Sequence, residues 1–197
     1  MKKSHFLLWL LVGGLSLAAF ARADWVTFAL DERVSVQLPV QPTELAVAKT
    51  LSPEQAKTLS PEQVKNNHVY LTTDAYGTYQ VVQSATGFSA EQAALAATRA
   101  AFYQRMLQGV LRHEHGTLLA QSPFPTAGGE GVEFAYRHVS RGSGKPVLAV
   151  ARHLLVGTTS YGFTFTPRDQ QDSTGTSGNA QRRRFFDSIV VKPVPGK

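Results

Sequence analysis

Hydrophobic and polar positions along this chain sort into four kinds of run. The first is an almost unbroken apolar stretch from Phe6 to Phe20, preceded by Met1-Lys2-Lys3 and followed by Ala21-Arg22-Ala23. A basic start, a short apolar centre and an A-x-A site describe a secretory signal peptide, and the run is shorter than the ~20 residues a membrane-spanning helix needs. Residues 1–23 are therefore expected to be cleaved, leaving 24–197 as one domain.

The second kind has a period of two. Trp25–Leu30 and Val34–Leu38 alternate on either side of Asp31-Glu32-Arg33 and predict two strands joined by a tight turn. Pro39 and Pro42 cannot donate to a ladder, so the chain should leave the sheet there or run on along an edge. His68–Thr73 and Thr78–Thr86 flank Asp74-Ala75-Tyr76-Gly77 and predict a hairpin. Thr117–Gln121, Gly131–Val139, Val147–Val156 and Thr159–Thr166 follow one another through short turns such as Arg141-Gly142-Ser143-Gly144. Connections that short make antiparallel neighbours, since a parallel crossover needs a dozen or more residues. Ile189-Val190-Val191 predicts a closing edge strand.

The third kind has a helical period. Ser89 followed by Gln92 is a capping box, and the alanine-, leucine- and glutamine-rich stretch to about Arg112 predicts one long helix. Leu95, Thr98, Phe102, Met106 and Gly109 form its expected sheet-facing stripe, with Arg99 elsewhere. Asn179 is the expected cap of a second, short helix through Phe186. The fourth kind is polar. Thr50–Lys57 is repeated at once as Thr58–Lys65, each copy with a Ser-Pro start, and reads as a duplicated loop insertion over 48–66; 167–178 reads as a mobile surface loop. Strands interrupted by helices make the fold class α+β.

Composition changes this picture little. There is no cysteine, so neither disulfides nor a thiol-linked lipid anchor hold the chain, and an ordinary core must do so. The formal charge is +6, but loss of Lys2, Lys3 and Arg22 with the signal peptide leaves 17 basic residues against 14 acidic ones, about +3. A balance that modest gives no reason to expect nucleic-acid binding.

Trp25-x-x-Phe28, then Val34-Ser-Val-Gln-Leu-Pro39-x-x-Pro42, and at the far end Arg184-Phe-Phe-Asp-Ser-Ile189, resemble the bacterial exported domains related to PsbP, the extrinsic protein of photosystem II. The resemblance spreads over most of 25–192 and implies an antiparallel β-sheet flanked by helices, an α/β/α sandwich, with a binding or assembly role and no shared active site. Its matching positions are packing and turn residues, so no functional residue comes with it. The duplicated segment departs from the pattern, and nothing here suggests a photosystem.

Candidate chemistry is sparse. His113 and His115, in alternate positions at the helix end, could share a metal, but two ligands are too few and the HExxH spacing is absent. His68, His138 and His153 read as exposed or hydrogen-bonded strand residues. Gly142-Ser-Gly-Lys145 lacks the first glycine of a phosphate loop, has Pro146 where Ser or Thr is required, and lies between strands. No Gly-x-Ser-x-Gly elbow occurs. Arg182, Arg183 and Arg184 beside Phe185 and Phe186 could offer a basic, aromatic-anchored surface to a partner, although successive helical residues point different ways and a solvated face is the plainer reading. Tyr76, Tyr79 and Phe124 could be core or interface aromatics. The expectation is an exported, periplasmic or extracellular, non-enzymatic protein that binds another envelope protein or a surface ligand, with no cofactor, no nucleic acid and no transmembrane segment once cleaved. A hydrolase or lipid-handling enzyme with residues drawn from distant strands is the alternative.

Overall fold

The computed structural model describes residues 24–46, 65–127, 129–140, 144–168, 176 and 178–193. The expected signal peptide (1–23), nearly all of the duplicated segment and most of the 167–178 loop lie outside these residues. Among the described residues ten strands and three helices run in the order β1 (Val26–Ala29), β2 (Val34–Leu38), β3 (Thr43–Leu45), β4 (Asn67–Thr73), β5 (Gly77–Ala85), α1 (Ala90–Ala94), α2 (Ala96–Glu114), β6 (Thr117–Thr126), β7 (Gly129–Val139), β8 (Pro146–Val156), β9 (Thr159–Pro167), α3 (Asn179–Asp187) and β10 (Val190–Val191). Every strand pair among the described residues is antiparallel, as the short turns require for β1–β2, β4–β5, β6–β7, β7–β8 and β8–β9.

Seven strands form one sheet in the order β3-β4-β5-β9-β8-β7-β6, and β1-β2-β10 form a small second sheet. Alternation sorts the side chains of the large sheet to two cores. Val150, Leu154, Tyr161, Phe163, Phe165, Tyr79 and Val81 face β2, β10 and α3, meeting Val34, Val36, Leu38, Val191, Phe185 and Phe186. Ala149, Ala151, Leu155, Val132, Phe134 and Tyr136 face the other way, against Ala93, Tyr103 and Leu107 of α1 and α2. The expected α+β sandwich is therefore present, with the small sheet sharing one outer layer with α3.

The first core is organised around Tyr79, whose ring meets Trp25, Phe165 and Phe185 edge-on at 5.4, 5.2 and 5.3 Å between centroids. Its hydroxyl donates to Asp74 Oδ2 at 2.9 Å, while Asp74 Oδ1 accepts the amides of Tyr76 and Gly77 and so shapes the β4–β5 turn. Asp31 does similar work in the β1–β2 turn. It accepts the amides of Arg33 and Val34, the Gln83 side chain and the Tyr161 hydroxyl, tying the small sheet to β5 and β9. Burial alone would raise the Asp31 pKa; the Tyr161 hydroxyl and the two amides outweigh it and hold the carboxyl below its usual range.

Several elements depart from expectation. The capping box forms at Ser89 and Gln92, but the long helix is broken at Leu95, which is extended (φ −71°, ψ 125°) and 59% exposed. The break lets Ala93 of α1 reach the second core while α2 restarts at its own angle, so helix propensity yields to packing. The buried stripe of α2 is consequently Tyr103 and Leu107, flanked by Phe102, Met106, Val110 and Leu111, and neither Leu95 nor Gly109 faces the sheet. Arg99, expected off the stripe, reaches the sheet and donates to the Glu130 carbonyl at 2.8 Å. At the other end of the chain, Asn179 is the first residue of α3, and its cap is Gly178, whose left-handed φ of 72° suits glycine.

Strand β6 runs on through Pro123 and Pro125, well past the expected Gln121. It is an edge strand paired only with β7, and an edge tolerates proline where the missing amide would face away from its neighbour. With the register shift between Leu118 and Ala120, the two prolines deny an incoming strand its ladder. Replacing both with valine (P123V and P125V) is expected to make self-association rise with concentration more steeply than in the wild type. Light scattering coupled to size-exclusion chromatography reads this; an unchanged mass at every concentration removes the protective role.

Where β7 parts from β8 after the Val132–His153 pair, the Tyr103 hydroxyl takes over. It accepts the buried Leu155 amide at 2.9 Å and donates to the Glu130 carbonyl at 2.9 Å. Tyr103→Phe removes one hydroxyl and leaves the buried Leu155 amide without its partner, so a loss of roughly 1–3 kcal/mol is expected in urea unfolding. A change below about 0.5 kcal/mol would mean that water replaces the hydroxyl.

Candidate functional site

Strand β8 reads Val-Leu-Ala-Val-Ala-Arg-His-Leu-Leu-Val from Val147, so two polar side chains stand in the middle of the most apolar strand. Alternation sends Arg152 to the α3 side and His153 to the α2 side. The two meet very different surroundings.

Arg152 lies under Phe186 of α3 and beside Phe124 of β6, its guanidinium 4.9 and 4.2 Å from the two ring centroids. Nε donates to Glu133 Oε2 at 2.5 Å, and Nη1 donates to the Phe186 carbonyl at 3.0 Å, with Asp187 Oδ1 4.0 Å away. The side chain is 17% exposed. A delocalised cation sandwiched by rings, with a carboxylate on one edge and a helix carbonyl on another, is held in one orientation and still reaches the surface. Phe124 is thus an aromatic of this surface, Tyr79 is core, and Tyr76 is half-exposed.

The three arginines of α3 leave the helix on different bearings. Arg184 lies over the Trp25 ring at 4.7 Å and fastens α3 to the start of the small sheet. Arg183 is exposed. Arg182 is half-buried one turn before Phe186, hence on the same helical face and beside the Arg152 surface. Burial lowers its pKa; Arg183 and Arg152 push the same way and Glu133 opposes them. Arg152, Arg182 and the rings of Phe124 and Phe186 therefore form one basic, aromatic-walled surface, to which the sequence reading contributed Arg182 but not Arg152.

The histidines separate as well. His113 sits in the last turn of α2, and His115 just beyond it takes the left-handed cap conformation, φ 49°. Glu114 lies between two imidazoles, with Oε1 3.6 Å from His113 Nε2 and Oε2 3.4 Å from His138 Nδ1. Among the described residues no group of three or more His, Asp or Glu is gathered for a metal ion. His68 takes a hydrogen bond with Glu44 at 2.7 Å.

His153 is neither exposed nor hydrogen-bonded, contrary to expectation. It is 9% exposed, stacked on Phe134 at 5.3 Å and 6°, and its Nε2 is shut off from water without a partner. The ring rests on Gly162 of β9, where a Cβ would stand 2.7 Å from its Cε1, so glycine makes the room. Burial without a compensating charge drives its pKa down to about 3.

The class of fold is now defined: a two-faced antiparallel sheet with helices on both sides, PsbP-like. The chain is similar to cyanobacterial PsbP (CyanoP) from Synechocystis sp. PCC 6803, with a TM-score of 0.55 over 90% of this chain and 98% of that one, at 12% identity. A protein of unknown function from Pseudomonas aeruginosa aligns with a TM-score of 0.46 over 86% of this chain and 99% of that one, at 11% identity. No protein-family model matches the chain, and no curated protein does. At such identities the likeness is one of fold. Among the described residues no helix is long and apolar enough to cross a membrane.

The buried imidazole gives a pH dependence of known sign. Its folded pKa lies below the ordinary value of 6.5, so on acidification the unfolded chain takes up a proton that the folded chain refuses. The contribution is complete above about pH 6.5 and is lost toward pH 3 at up to ~1.4 kcal/mol per pH unit. Urea midpoints at pH 7, 5.5 and 4.5 should fall more steeply for the wild type than for His153→Leu. Parallel slopes would mean that His153 is protonated in the folded protein.

Proposed function

We propose that this chain is an exported, non-enzymatic binding or assembly protein of the cell envelope, which engages another envelope protein or a surface ligand through the Arg152 surface. The observation that carries the reading is Arg152 held against Phe124 and Phe186 at the surface of the sheet, with the half-buried Arg182 one helical turn before Phe186. Arginine and aromatic side chains are the groups enriched where interfaces draw most of their energy, and here the orientation of Arg152 is set before any partner arrives. The open edge of β6 runs beside Phe124 and borders the same surface.

Export rests on the N-terminal pattern of residues 1–23. The PsbP-like fold supports an envelope or assembly role only by analogy, since a fold carries no function by itself. Arg184 acts in this reading as a fastener for Trp25, leaving Arg182 and Arg183 with Arg152 to meet the partner.

Co-purification from the envelope of the source cell is the test, run on the wild type and on a variant with Arg182 and Arg183 changed to Gln. The wild type should retain a partner that the variant releases at unchanged thermal stability. Turnover of ester, phosphate or glycoside substrates by the purified protein, abolished by single substitutions, would replace this reading with the enzymatic one.

A further inference from the structure

The guanidinium groups of the Arg152 surface are only partly met by acceptors of the described residues. Arg152 has its Nε on Glu133 and its Nη1 on the Phe186 carbonyl, and its Nη2 edge has no partner among the described residues. Arg182, half-buried on the Phe186 face of α3, makes no side-chain hydrogen bond and no ion pair with any described residue. Two guanidinium groups thus stand within electrostatic reach of each other, drawn partly out of water, with one directly bound carboxylate between them. Asp187, 73% exposed and 4.0 Å from Arg152 Nη1, is the second acidic group at this surface, and Arg183 adds a third guanidinium on the exposed side of α3.

We propose that Arg152 and Arg182 form a subsite for a single carboxylate, presented by an aspartate or glutamate side chain of the partner, with Phe124 and Phe186 as its apolar walls. This deepens the binding reading above and rests on it. A guanidinium edge matches a planar carboxylate with two parallel hydrogen bonds. Glu133 and Asp187 stand beside the guanidinium groups, so the single charge of a carboxylate is repelled less there than a phosphate dianion. The flanking rings exclude water from the contact, which strengthens it relative to a bare surface ion pair.

Side-chain Nε–H resonances of arginine in the 15N-labelled full chain read the subsite directly. A capped tetraglutamate peptide is titrated at fixed ionic strength beside acetate and inorganic phosphate. The peptide should shift the Arg152 and Arg182 signals ahead of the other arginines. Acetate should shift the same two signals at higher concentration, and phosphate should shift them less than acetate. Arg182→Gln should weaken the peptide roughly tenfold, while Arg183→Gln changes it by about twofold or less. Arg152→Lys, which keeps the charge and loses the fork, should weaken it as Arg182→Gln does, and serves if the latter unfolds. Phosphate shifts equal to or larger than those of acetate, shifts spread evenly over all arginines, or full affinity in Arg182→Gln overturn the subsite. A co-purified partner retained while the peptide leaves both signals unmoved sinks the subsite and spares the binding reading; substrate turnover sinks the binding reading itself.

Discussion

A sheet that is apolar on both faces must be covered on both, and the central strands of this protein are apolar on both. Nearly every position of β8 is buried, with odd residues such as Ala149, Ala151 and Leu155 on one side and even ones such as Val150 and Leu154 on the other. Each large apolar side chain moved from water to such a core contributes roughly 1.5–3 kcal/mol, so neither face can stay bare at the centre. Without cysteine, this double cover is the means of holding the chain together. One side is closed by α1 and α2, the other by the three-stranded sheet and α3, which come from opposite ends of the sequence. Folding is therefore incomplete until residues near Val34 and residues near Phe185 meet over β9.

That meeting places the surface around Arg152. Phe185 and Phe186 are both buried and the rings touch at 5.1 Å, yet they serve different neighbours: Phe185 packs on Tyr79 and Phe163, and Phe186 lies over Arg152. The position of α3 is thus fixed from within by Phe185 and, along its C-terminal half, by Arg184 on Trp25 and the Phe186 carbonyl on Arg152. Cover stops at Phe186, and β6 and β7 continue beyond it, so an even-numbered β8 side chain at that point comes up at a margin instead of in a core. A cation at the margin of a packed element has fixed geometry and access to solvent together, which is the combination that a binding group requires.

Local chemistry made much of this architecture legible. Period-two runs located every strand of the large sheet except β3, the turn residues made them antiparallel, and Ser89 with Gln92 marked the start of α1. What failed were the questions that only packing answers. Nothing in the residues around Leu95 forbids a continuous helix; the break comes from the sheet beneath it. The face of α2 was misplaced because Tyr103 serves as a hydrogen-bond partner for Leu155 as well as an apolar body, and alanine at neighbouring positions blurs the stripe. Prolines ended β6 too early in the reading because they bar a strand only from the interior of a sheet. Arg152 did carry a signal: a charged residue at the centre of the most apolar strand must either be paired or mark the limit of the core.

Arg152 and His153 show how one strand resolves that demand in opposite ways on its two faces. A guanidinium does not lose its proton at any ordinary pH, so burial can be tolerated only with a carboxylate, a carbonyl and aromatic faces around it and an edge left toward water. An imidazole can discard its charge, and on the α2 side it does so, lying flat between Phe134 and Gly162 with no partner for its buried Nε2 among the described residues. The neutral ring can therefore be fully covered, and the cation cannot. Charge that survives next to a core has to sit where the covering layer ends, and on this molecule that boundary is drawn by Phe186 and Phe124. The same physics that seals one face of β8 keeps the other open at a single point.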